Sequence, residues 1–201
     1  REGEILGIAG VAGNGQSELL EVLGGYQQAN GSVRIKGSEI DLTTSAAGDG
    51  QARRAQGIAH VPEDRQREGL IMDFTAWENS VFGYHREKSN QANRFFMDNN
   101  AIRQETEAKM RRFDVRPPNP SLTAKNFSGG NQQKIVLARE IERDPDLLLV
   151  GQPTRGVDIG AIEFIHQQIV SLRDRGKAIL LISVELDEIL SLPEIDMIQW
   201  G

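Results

Sequence analysis

Ile5-Leu6-Gly7-Ile8-Ala9-Gly10-Val11-Ala12-Gly13-Asn14-Gly15-Gln16-Ser17-Glu18-Leu19-Leu20-Glu21-Val22-Leu23 is the stretch on which the fold turns. Its first five residues form an apolar run of strand length, and Gly10 to Gly15 is a glycine-rich turn. From Ser17 to Leu23 the apolar residues Leu19, Leu20, Val22 and Leu23 share one side of a helix, which Gly24-Gly25 stops. Strand, glycine loop and helix in this order aim backbone N–H groups at an anion in front of the helix.

Outward from this stretch, Gly31-Ser32-Val33-Arg34-Ile35-Lys36-Gly37 alternates apolar and polar residues, as an exposed antiparallel strand does. Short buried strands are expected at Ile58 to Val61, ended by Pro62, and at Leu147 to Val150, Ala178 to Ile182 and Ile195 to Ile198. Helices are expected from about Asn131 to Arg143, over 160–175 with Ile162, Ile165, Ile169 and Leu172 on one face, and at Glu185 to Leu190. Alternating strands and helices predict an α/β fold with a largely parallel sheet covered on both faces and an antiparallel β edge. Residues 64–127 differ: they are polar and charged, helical in pattern around Ala101 to Phe113, and broken by Pro117, Pro118 and Pro120. The expected organisation is an α/β core of residues 1–63 and 128–201 with a helical subdomain, 64–127, inserted into it.

Bulk composition sets the outer limits. The 201 residues suffice for one substantial α/β domain or a core plus a smaller subdomain. With 38% hydrophobic and 26% charged residues the chain is globular rather than disordered. Its net charge of −6 argues against nucleic acid as the primary partner. The absence of cysteine excludes disulfides, thiol catalysis and cysteine-ligated zinc, and the scattered His60, His85 and His166 suggest no metal site. No run of about 20 apolar residues is present to span a bilayer. The start, Arg1-Glu2-Gly3-Glu4, lacks an initiator methionine and any signal-peptide pattern, and an apolar run follows at once, as expected of a domain cut from a longer polypeptide.

Gly10 to Ser17 fits the phosphate-loop pattern G-x-x-x-x-G-K-[ST] at every position but one: Gln16 stands where lysine belongs. Gly10, Gly13 and Gly15 permit the turn and close backbone approach, Asn14 and Gln16 offer neutral donors, and Ser17 can still ligate Mg²⁺. Glutamine brings no charge, and charge-assisted bonds exceed neutral ones by roughly 1 kcal/mol, so a nucleotide would be held more weakly. The same residues also suit a purely structural glycine turn.

A second element, Asn126-Phe127-Ser128-Gly129-Gly130-Asn131-Gln132-Gln133-Lys134, leads into a helix. A serine hydroxyl and glycine N–H groups at a helix start make an anion site, and they equally make an ordinary N-cap. Ser-Gly-Gly followed by Asn-Gln-Gln resembles the signature motif of ATP-binding-cassette (ABC) proteins, in the variant found in simple-sugar and nucleoside importers. The resemblance runs from about Gly3 to Trp200 with every motif in order. It implies a P-loop NTPase core of ABC type with the helical subdomain inserted.

The departures from that family's pattern are systematic. After the strand Leu147-Leu148-Leu149-Val150 the resemblance implies an aspartate and a glutamate, and the residues are Gly151 and Gln152. Gly151 offers Mg²⁺ no carboxylate and Gln152 is no general base, although an amide can still orient a water. Gly156-Val157-Asp158 resembles the D-loop, and Asp158 also fits a cap for the helix that begins near Gly160. Val61-Pro62-Glu63-Asp64-Arg65 occupies the place of the Q-loop, with Glu63 instead of the glutamine that senses Mg²⁺, water and the membrane partner. Val184 stands where the switch histidine belongs. Arg65, Arg67 and Arg111-Arg112 suit either solvated surface or contacts to acidic partners.

Taken together, the resemblance implies the second cassette of a tandem ATP-binding protein, closing head to tail on an N-terminal cassette of the same polypeptide. Ser128, Gly129 and Gly130 would serve the partner's ATP, while the chain's own site, at Gln16, Gly151, Gln152 and Val184, would hold ATP and Mg²⁺ with little or no hydrolysis. The implied partners are transmembrane permease subunits and, indirectly, a periplasmic or lipid-anchored substrate-binding protein, at the cytoplasmic face of the inner membrane. The aromatic residue that stacks on adenine would precede Arg1. The competing readings are a self-sufficient ABC ATPase and a non-catalytic regulatory nucleotide-binding module.

Overall fold

A computed structural model describes residues 1–10, 13–43, 49–85 and 97–200, with the backbone alone at Gln199 and Trp200. Val11 and Ala12 of the glycine loop and residues 86–96 of the helical stretch lie outside the described residues. The chain divides into two compact units, one of Arg1–Glu63, Arg143–Pro153 and His166–Gly201, the other of Asp64–Glu142 and Thr154–Ile165.

The first unit is built on a five-stranded parallel sheet. Its strands are β1 (Ile5–Gly10), β4 (Ile58–Val61), β5 (Leu147–Gly151), β6 (Ala178–Ser183) and β7 (Ile195–Trp200), in the order β4-β5-β6-β1-β7. Near-continuous apolar sequences suit strands buried on both faces, and Leu148, Leu149, Val150 and Leu181 are fully buried. Helix α1 (Gln16–Gly24) packs on β4 and β5, and Ile8, Leu20, Ile58, Leu149 and Ile182 make one apolar cluster. Helix α7 (Leu186–Leu190) packs on β1, β6 and β7.

The alternating run near residue 33 is β2 (Ser32–Ile35), and its antiparallel partner is β3 (Ser38–Asp41), which the sequence reading did not foresee. Lys36 and Gly37 join them with φ of 49° and 79°, the pair of positive values a tight hairpin turn requires. Helix α2 (Gly50–Ala55), capped by the Asp49 carboxylate on Gln51 N–H, was also not foreseen.

The second unit is helical. Asp64 caps a five-residue π turn, Arg65–Gly69, by accepting from Gln66 and Arg67 N–H. Helices α3 (Ala76–Ser80), α4 (Asn99–Arg112) and α5 (Gly129–Ile141) follow, and Trp77, Val81 and Ile102 form a core between α3 and α4. Helix α3 starts on a capping box: Thr75 and Glu78 satisfy each other's backbone N–H groups. This unit does not end at residue 127. Helix α5 belongs to it because Tyr84 Oη donates to the buried Glu140 at 2.6 Å and Lys134 bonds Asp114 at 3.1 Å. The first half of α6 (Ile159–Asp174) clusters there too, with Phe164 against Phe113 at 6.1 Å between ring centroids.

Candidate functional site

In a parallel sheet, loops at the carboxyl ends of the strands converge on one edge, which is where such folds bind ligands. The register lines up Val61 with Val150, Gly151 with Ile182, and Ala9 with Ser183. The residues that follow β1, β4, β5 and β6 are the glycine loop, Glu63, Gln152 and Val184, so four of the sequence motifs open on that edge. Gly10 ends β1, in register with Trp200.

Gly13 and Gly15 have φ of 91° and 95°, a region that costs a residue with Cβ dearly and glycine nothing. A Cβ at either would meet nothing within 4 Å. Glycine is therefore required at these two positions by the turn of the backbone and not by crowding. Gly15 is the N-cap of α1, whose first N–H groups have no acceptor within the helix. Asn14 and Ser17 are exposed, while Gln16 is 3% exposed.

Ser17 Oγ donates a 2.8 Å hydrogen bond to Glu63 Oε2. Glu63 follows β4 and passes over the end of β5: a Cβ at Gly151 would lie 2.5 Å from Glu63 Cγ, 3.1 Å from Glu63 N and 2.8 Å from a Leu20 methyl. Gly151 is buried. Among the described residues no three His, Cys, Asp or Glu gather into a metal-binding group. A hydroxyl and one carboxylate suit Mg²⁺, which keeps several waters and shares phosphate oxygens rather than entering an all-protein cage. The residues of this chain that fit such an ion are Ser17 and Glu63.

Gln152 and Val184 follow β5 and β6. Gln152 adopts φ of 43° and its N–H bonds Ile182 O at 2.8 Å. Val184 is 40% exposed and its side chain neither donates nor accepts. Next to it, Ser183 Oγ bonds the buried Glu188 at 2.5 Å, and Glu185 N–H donates to Ser183 Oγ.

In the second unit, Ser128 is the exposed N-cap of the thirteen-residue α5. Its Oγ accepts from Asn131 Nδ2 at 2.9 Å and from Asn131 N–H at 3.4 Å. Gly129 and Gly130 follow as the first helical residues. A Cβ at Gly129 would lie 2.6 Å from Arg65 Nη2 and 2.7 Å from Gly156 O, and one at Gly130 would lie 2.8 Å from Asp158 Oδ2. Both glycines are thus demanded by their neighbours in this chain. Asp158 caps α6, accepting from Ala161 N–H at 2.9 Å.

Arg65 departs from the sequence reading of solvated surface. Its Nη1 donates to Arg155 O at 2.7 Å and its Nη2 to Gly156 O at 3.2 Å. Burial, and more weakly the charge of Arg155, push its pKa down, offset in part by Asp64. Nothing in the periodicity around 65 marks this role, because the partners are carbonyl oxygens far along the chain. Arg111 and Arg112, by contrast, pair with Glu107 and Glu142. Among the described residues no helix is long and apolar enough to cross a membrane.

The profile of the ABC transporter family matches residues 1–155. The nucleoside import ATP-binding protein NupA of Lactococcus lactis subsp. cremoris is 43% identical over 196 residues, covering 96% of this chain and 37% of that protein. The guanosine import ATP-binding protein NupO of Bacillus subtilis is 41% identical over 195 residues, with the same coverage of 96% and 37%. This chain therefore spans little more than a third of these relatives. The dimeric structure of MJ0796, a bacterial ABC transporter cassette, matches with a TM-score of 0.74 at 23% identity, over 100% of this chain and 83% of that one. Its post-hydrolysis form bound to ADP and Pi gives 0.72 at 25% identity, over 94% and 78%. The parallel core with its antiparallel pair is the fold of the ABC cassettes, and this chain belongs to the ABC transporter family.

Proposed function

We propose that this chain is a nucleotide-binding cassette of an ABC importer for nucleosides or simple sugars, and that its work is done largely on a partner's nucleotide. The observation that carries the reading is Ser128: an exposed hydroxyl at the start of α5, followed by two glycines whose N–H groups point out of the first turn. Such a cradle binds a γ-phosphate presented by a second cassette, which in this reading lies N-terminal in the same polypeptide.

The chain's own loop, Gly10 to Ser17, binds ATP with Mg²⁺ at Ser17, weakly for want of a lysine at Gln16. Hydrolysis there is negligible. Gln152 and Val184 supply neither a base nor a proton donor, while the partner cassette brings both for the site that Ser128 completes. Closure of the pair moves permease subunits in the inner membrane through contacts around Glu63 and the helical stretch 64–127, with Asp158 and its loop at the cassette interface. A substrate-binding protein delivers the cargo on the other side. The likeness to NupA and NupO, nucleoside and guanosine import ATP-binding proteins, supports the choice of cargo class.

The test is Ser128→Arg in the assembled transporter. It abolishes ATP consumption if Ser128 lines the partner's site, and unaltered consumption contradicts the reading. The 201-residue chain alone shows no turnover above background; vigorous turnover contradicts it from the other side.

A further inference from the structure

The direction of the Ser128 hydroxyl proton follows from its neighbours. Arg116 N–H donates a 2.8 Å hydrogen bond to the side-chain amide of Asn131. A backbone N–H can only donate, so the amide atom facing it is the oxygen. The NH₂ group is thereby turned to Ser128 Oγ, to which it donates at 2.9 Å. Asn131 N–H adds a longer bond to the same oxygen, at 3.4 Å. A serine oxygen has two lone pairs and one proton. With donors on both lone pairs, the proton points away from Asn131, out from the start of α5. We propose that Asn131 is a positioning residue: it fixes the Ser128 hydroxyl as a donor aimed at the terminal phosphoryl group of the partner's nucleotide, and does not itself touch that nucleotide.

The support for Asn131 is built into the helical unit. Lys134 lies one turn further along the same face of α5, and its Nζ donates to Asp114 O and to Asp114 Oδ2, each at 3.1 Å. Residues 114–116 are thus fastened to α5 at two points, Lys134 and Asn131, so Arg116 N–H is held where it orients the amide. Both ends of that amide are engaged within the chain. The oxygens of a phosphoryl group are acceptors, and a donor set in advance needs no reorganisation when the cassettes close on it.

The inference rests on the reading of Ser128 as serving a second cassette's nucleotide, and the test keeps the two apart. Steady-state ATP hydrolysis by the assembled transporter is measured for the unaltered protein, Asn131→Asp, Ser128→Ala and the double variant, with thermal unfolding of each. Aspartate has the size of asparagine and still accepts from Arg116 N–H. Its other oxygen accepts where Asn131 donates, so it draws the Ser128 proton inward. Ser128→Ala deletes the hydroxyl and leaves the N–H groups of Gly129 and Gly130, so turnover remains measurable.

The expected result is a fall in kcat of roughly tenfold or more for both single variants, the worth of one charge-assisted hydrogen bond. KM for ATP stays within about twofold, because Ser128 meets the nucleotide only on closure. The melting temperature of Asn131→Asp is not lowered, since an acid in the first turn of a helix is favourable. Asn131→Asp adds no further loss in the Ser128→Ala background, because its effect passes through the hydroxyl. The proposal is overturned if Asn131→Asp keeps full turnover, or if it raises KM with kcat unchanged, which would put Asn131 on the nucleotide itself. It is overturned too if Asn131→Asp costs as much without the hydroxyl as with it, the mark of charge repulsion or of a structural role. Full turnover by Ser128→Ala overturns both this proposal and the reading beneath it.

Discussion

Arg65 Nη1 donates a 2.7 Å hydrogen bond to the carbonyl oxygen of Arg155 while Nη2 reaches Gly156 O at 3.2 Å, so one guanidinium holds two successive carbonyls of the loop before α6. The same Nη2 lies where a Cβ at Gly129 would come within 2.6 Å. A single planar group thus fixes that loop beside the start of α5. Arg65→Lys keeps the charge but not the fork, and charge-assisted bonds contribute about 1.5–3 kcal/mol each. Thermal unfolding is expected to show Arg65→Lys destabilised by about 1–2 kcal/mol and Arg65→Ala by more; equal stability of all three proteins would contradict the clamp.

Gly129→Ala is expected to damage the fold more than Ser128→Ala. The first drives a methyl against Gly156 O and Arg65, an overpacking that costs about 1–3 kcal/mol. The second removes an N-cap worth about 1 kcal/mol. Urea denaturation of the two variants checks the order.

Gln16→Lys restores the charge the phosphate loop lacks. Nucleotide affinity in the presence of Mg²⁺ is expected to rise roughly tenfold, as a charge-assisted bond replaces a neutral one. Turnover does not rise with it, since Gln152 and Val184 still provide no base. Titration of fluorescent ATP alongside a phosphate-release assay reads both.

Much of this was legible in the order of residues. Strands β1, β4, β5, β6 and β7 declare themselves as short apolar runs, because burial on both faces leaves little room for polar residues. The loops after them were readable for the same reason: they begin where an apolar run stops. Helix α3 was not foreseen, although Thr75-Ala76-Trp77-Glu78 is a capping-box signature. The paired roles of Glu63 and Gly151, and of Arg65 and Gly156, were beyond reach. Each depends on two strands or loops meeting in space, which no local period encodes. For the same reason the helix at 129–141 read as part of the α/β core, where its buried face in fact packs among helices.

Asp114 ties the end of α4 to α5. Hydrogen bonds from the side chains of Arg116 and Lys134 hold its carboxyl below the ordinary carboxylate range, despite some desolvation. A group whose folded pKa is depressed stabilises the fold above its unfolded value of about 3.9 and ceases to as pH falls through the folded value. Asp114→Asn is therefore expected to lower the melting temperature at pH 7, and the gap from the unaltered protein should close as pH drops below about 4. Asparagine tolerates the φ of 49° at this position, so backbone strain does not confound the comparison.

The collision between Glu63 and any side chain at 151 also couples the two positions. An aspartate placed at 151 while Glu63 is in place meets its Cγ and its backbone nitrogen. Removing Glu63 clears that space and leaves Ser17 Oγ without the carboxylate it donates to. Substitutions at the two positions are therefore non-additive, and the effect of either is set by the residue at the other.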